Sequence, residues 1–126
     1  MEVVLKGSIK DKIPLFNAKI NKNCILEFLP GGVIPITADT GFTEGIALPS
    51  SILNRLNIEF VGYDSFELAN GQSIMVKIYY GYVIVGDKKV ETTFIEGEHL
   101  MGMAFMSSIA NMFKVDFMKK KISLEK

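Results

Sequence analysis

The chain has 126 residues, 48% of them hydrophobic and 22% charged, with 14 basic and 14 acidic side chains. That length fits one domain covering 1–126, and the composition argues against disorder. Zero net charge gives no electrostatic reason to expect nucleic acid or an anionic membrane as partner, and the single cysteine, Cys24, rules out an internal disulfide.

In chain order, residues 3–9 and 15–20 read as strands around the charged turn Lys10-Asp11-Lys12. Residues 25–29 form another candidate, closed by Pro30-Gly31-Gly32, and 33–38 run directly into Asp39-Thr40-Gly41. After Pro49, Ser50 can cap a helix of about two turns, with Ile52, Leu53 and Leu56 on one face. Residues 66–68 and 74–80 flank Ala69-Asn70-Gly71-Gln72, a strong hairpin signal. A second hairpin pairs 82–85 with 90–95 around Gly86-Asp87-Lys88-Lys89. Residues 100–113 read as an apolar, Met-rich helix or turn-helix, with Met101, Met103, Met106 and Met112 expected in the core. A last hairpin joins 113–118 to 122–124, and Lys119, Lys120 and Lys121 between them read as a solvated turn. Many short strands with frequent turns point to a closed or sandwiched β fold with one or two short helices. With no long uncharged apolar run and no signal-peptide pattern in residues 1–10, the expected location is the cytoplasm.

Several chemistries find no residues to carry them. Metal sites need clustered His, Cys or carboxylates, and the chain has one histidine, His99, far in sequence from Cys24. No metal site and no cofactor is expected. His99 reads as a loop or surface residue, and no glycine-rich phosphate loop is present. What remains is Asp39-Thr40-Gly41, where a strand delivers a carboxylate, a hydroxyl and a glycine. By itself the tripeptide is also ordinary turn chemistry.

Its context carries more. The stretch from Ala38 to Pro49, ADTGFTEGIALP, resembles the active-site segment of retropepsin-like aspartic proteases, above all the small bacterial and archaeal ones. Glu67-Leu68-Ala69-Asn70-Gly71-Gln72-Ser73 is similar to their flap hairpin, and Leu100-Met101-Gly102-Met103 to the motif that opens their C-terminal helix. The resemblance implies a mainly β, closed acid-protease barrel, one half of a two-fold dimer. It also implies an aspartic endopeptidase in which Asp39 is the catalytic acid/base. Thr40 then bonds across the dimer, Gly41 admits the substrate backbone, Thr43 steadies the loop and Gly102 packs behind it. Leu68, Ala69, Asn70, Gly71, Gln72 and Ser73 form the flap over an extended peptide. Ile46, Leu48 and Ile74 are candidates either for lining pockets or for plain core.

The chemistry implied is activation of water by two close carboxylates that share one proton, since both cannot ionise at such range. Only one Asp-Thr-Gly occurs, so the second carboxylate must come from another copy of the chain. Activity is then expected to peak at mildly acidic pH. Retroviral members usually carry arginine or aspartate just after the helix glycine. Here Met103 and Ala104 stand there, which puts a side-chain tie between helix and loop in question. A non-catalytic peptide-binding or assembly module of the same fold is the alternative, as is an unrelated barrel in which Asp39 is only a turn residue.

Overall fold

A computed structural model describes residues 2–126. These residues form, in order, β1 (Val3–Lys10), β2 (Ile13–Ile20), β3 (Leu26–Phe28), β4 (Ile34–Ala38), β5 (Ile46–Leu48) and α1 (Ser50–Leu53). Then come β6 (Glu59–Glu67), β7 (Ser73–Val85), β8 (Lys88–Glu96), β9 (Leu100–Met101), α2 (Met103–Ile109), β10 (Met112–Asp116) and β11 (Lys121–Glu125).

Seven strands close into a ring. β2 pairs with β3, β3 with β7, β7 with β8, β8 with β5, β5 with β9, β9 with β4, and β4 returns to β2. The result is a small, mainly β domain built on a closed seven-stranded barrel. Closure follows from the period-2 pattern of the strands. Phe16 and Ala18 of β2 point inward with no exposure, while Asn17 between them and Lys19 after them face the other way, Asn17 half-buried and Lys19 exposed. Ile36 and Ala38 do the same on β4, and Val83 and Val85 on β7. Ile46, Ala47 and Leu48 of β5 are all buried, as expected of a strand enclosed on both faces. α2 plugs the core with Phe105, Met106 and Ile109, and Phe105 stacks on Phe28 with ring centroids 5.7 Å apart. Each such side chain contributes about 1.5–3 kcal/mol on burial.

Outside the ring, β1 pairs with β2, β11 with β1 and β10 with β11, forming a three-stranded wing. Leu5, Ile122 and Leu124 bury its inner face, and Phe113 meets Phe16 at 6.3 Å. β6 pairs only with β7, so their hairpin projects from the barrel.

Several elements differ from the sequence-based expectation. α1 is one turn rather than two, and Ser50 is its first residue; Pro49 occupies the cap position with no side-chain cap bond. The chain leaves the helix early because the Asn57 N–H donates to the Cys24 carbonyl. β6 begins at Glu59, well before residue 66, and a register shift between Phe60 and Gly62 interrupts the alternation that would have revealed it. Residues 74–80 and 82–85 belong to one 13-residue strand that runs straight through Gly81. The span 100–113 divides into β9, α2 and the start of β10. Met101 and Met106 are core, but Met103 and Met112 are 42% and 37% exposed, because Met103 opens α2 away from its inner face and Met112 lies beyond the helix in β10.

Glu125, only 7% exposed, gives the wing a pH-dependent anchor. The Ser123 hydroxyl donates to its carboxylate at 2.7 Å, and Lys114 Nζ lies 3.5 Å away. The hydroxyl bond first, and the lysine charge next, hold this carboxyl below its ordinary value of 4.5, against the opposing effect of enclosure. A carboxyl lowered on folding adds stability above its unfolded value and loses it as pH falls through the folded one. Ser123→Ala should therefore lower Tm at neutral pH. The gap from wild type should narrow as pH drops below 4.5, as followed by thermal melts across pH.

Candidate active site

Asp39 follows directly on β4, whose last residues pair with β9. The Asp39 N–H donates to the Met101 carbonyl at 2.9 Å, and the Thr37 N–H to the His99 carbonyl at 3.0 Å. The chain then turns back on itself. The Gly41 N–H donates to Asp39 Oδ1 at 2.9 Å and the Phe42 N–H to the Asp39 carbonyl at 3.2 Å. This is the turn chemistry expected of Asp-Thr-Gly, and it fixes one carboxylate oxygen while leaving the side chain half-exposed.

The loop is held from behind by the start of α2. The Met103 N–H donates to the Phe42 carbonyl and the Gly102 N–H to the Gly45 carbonyl, both at 2.8 Å. Gly102 is buried here for a steric reason. A Cβ at this position would overlap the Glu44 carbonyl oxygen and lie 2.7 Å from Phe42 Cδ2 and 2.8 Å from the Phe42 carbonyl oxygen. The helix–loop tie that Met103 and Ala104 cannot make with side chains is thus made by backbone.

Asp39, Thr40, Gly41, Thr43 and Gly102 therefore lie in one loop-and-helix unit. Thr40 and Thr43 are exposed, and among the described residues neither hydroxyl has a hydrogen-bond partner. Within one chain, the steadying expected of Thr43 comes instead from the backbone bonds of Phe42 and Gly45. Those carbonyls carried no sequence signal beyond the glycine at 102. Ile46 and Leu48 are fully buried core, whereas Ile74 is 42% exposed on the projecting hairpin. His99 lies in the bend between β8 and β9, as expected of a loop residue, but it is half-buried, and its Nε2 is enclosed without a hydrogen-bond partner.

The hairpin tip has the expected form. Leu68 exchanges backbone bonds with Gln72 and Gly71, at 2.7 and 2.9 Å, and Asn70 Oδ1 accepts from the Gln72 N–H at 3.0 Å. Gly71 has φ +84°, a left-handed conformation that glycine alone adopts freely. Leu68, Ala69, Asn70, Gln72 and Ser73 are all exposed, and among the described residues no hydrogen bond joins this tip to the Asp39 loop. The tip is thus a separate element at the end of a long two-stranded arm. Gly71→Ala should strain the turn by about 1–2 kcal/mol. If the arm closes over substrate, KM should rise in steady-state kinetics, and Tm should fall by several degrees.

No family model, curated protein or solved structure matches this chain.

Proposed function

We propose that the chain is a retropepsin-like aspartic endopeptidase that works as a homodimer, with one Asp39 from each copy. The observation that carries this reading is the Asp39 loop: a half-exposed carboxylate at a strand end, pinned through one oxygen and backed by a buried glycine at a helix start. A structural turn needs no such backing.

The mechanism follows from the carboxylate chemistry. Two copies related by a two-fold axis bring two Asp39 side chains to one water molecule. The ionised member takes a proton from the water, and the protonated member supports the substrate carbonyl oxygen. Each Gly41 N–H stays on its own Asp39 Oδ1, so the other oxygen remains available. Thr40, exposed next to Asp39, would leave its hydroxyl free to bond across that axis. The β6–β7 arm covers an extended peptide bound as an added strand and excludes water.

The test is cleavage of a diverse peptide library over a range of protein concentrations. Specific activity should rise with concentration as dimers assemble. No cleavage at concentrations where sizing shows a dimer would favour a peptide-binding module, and a strict monomer would favour a barrel without this site.

A further inference from the structure

One end of the wing carries a feature that peptide hydrolysis does not use. The β1–β2 turn and the β10–β11 turn lie side by side, joined by the Ile9 N–H donating to the Lys120 carbonyl at 2.9 Å. Both are tight: Asp11, Lys12 and Lys120 have φ of 52°, 68° and 54°. The second is capped by the Lys119 N–H on Asp116 Oδ1 at 3.0 Å. At its tip stand Phe117 and Met118, 79% and 94% exposed. Ile13 and Val115 nearby are 45% and 38% exposed, and a hollow of about 760 Å³ between the turns is lined partly by Ile9, Pro14, Val115 and Phe117.

Charge gathers at the same end. Lys10, Lys12, Lys119, Lys120 and Lys121 are all exposed, and the acidic residues of the two turns are Asp11 and Asp116. Five lysines against two aspartates leave this end at +3. As the whole chain is neutral, the remainder carries −3. Whole-chain neutrality, from which no membrane partner is expected, averages this positive end with the rest of the chain.

We propose that this end docks on an anionic lipid bilayer, with Phe117 and Met118 entering the interface and the lysines meeting lipid phosphates. Apolar side chains at the outermost point, with cations set around them, suit a surface that is hydrocarbon inside and negative outside. Lysine stems can lie along the apolar region while their ammonium groups reach the headgroups. A nucleic acid would satisfy the lysines but offers no hydrocarbon for Met118. The attachment proposed is at the bilayer surface; no helix among the described residues is long and apolar enough to cross a membrane.

The experiment is co-sedimentation of the full chain with phosphatidylcholine vesicles, with and without phosphatidylserine. It reads binding and is independent of cleavage. Binding is expected only with phosphatidylserine and should weaken with added salt. Phe117→Ser with Met118→Ser, and separately Lys119→Gln with Lys121→Gln, should each lower the partition coefficient about tenfold. Circular dichroism and melting should stay unchanged, since all four residues are exposed. The proposal is overturned by no binding to phosphatidylserine vesicles, or by binding that the Phe117/Met118 variant leaves intact. Tighter binding to a single-stranded oligonucleotide than to vesicles, or a change in oligomeric state as the only effect of that variant, overturns it as well.

Discussion

On the proposed mechanism, Asp39→Asn is expected to lower kcat/KM for peptide cleavage by about 10²–10⁴-fold while leaving the fold intact, because it would remove the general acid/base and little else. Asparagine keeps an oxygen at the Oδ1 position, so the Gly41 N–H retains its acceptor. The loop bonds to Met101, Phe42 and Gly45 involve backbone only. Melting temperature should therefore match wild type, which separates lost chemistry from lost structure. The variant also tests the dimer. If each active site takes one carboxylate from each copy, mixed dimers are inactive. Adding an equal amount of Asp39→Asn to wild type should cut activity to about half, by random pairing of subunits. Unchanged activity in the mixture, with exchange demonstrated, would mean that a single chain holds a whole site.

Gly102→Ala is expected to damage both the fold and the activity. The added Cβ would meet the carbonyl oxygens of Glu44 and Phe42, which are backbone atoms with no rotamer to escape into. Phe42 and Gly45, which bracket Glu44, are fixed by the bonds from Met103 and Gly102, so the loop and the helix start must separate together. Overpacking of this kind costs about 1–3 kcal/mol. On a domain of this size that lowers Tm by roughly 5–10 °C. Activity should fall further than stability explains, since the displaced segment is the one that positions Asp39. Ser107→Ala, at an exposed position on the same helix, is the control and should change neither.

How much of this was readable beforehand depended on where the signal lay. The Asn70-Gly71 and Gly86-Asp87 turns were legible because few backbones other than glycine accept φ of +84° and +66°. The Asp39 loop and its distant glycine could be matched as a pair because both are recognised by residue type. The bonds that join them run between carbonyls and amides, which every residue possesses, so nothing in the letters marked Phe42, Gly45 or Met101 as partners. A closed barrel was expected, but which strands complete the ring was not legible. β3, only three residues long, bridges β2 to β7 through three paired residues on each side. β6 was shortened in the reading because its bulge breaks the two-residue rhythm. The exposed Met103 shows the same limit. Methionine at helical spacing suggests a core stripe, but this residue opens the helix next to the loop instead.

The wing joins the two extremities of the described chain: Val3 lies opposite Glu125, and Gly7 opposite Ile122. Pairings between residues so distant along the backbone give a high contact order, and chain entropy must be spent before they form. Folding is expected on the order of milliseconds to seconds rather than microseconds. During synthesis, β1 must wait for β11 to leave the ribosome, so the wing is assembled last, after most of the barrel strands are available.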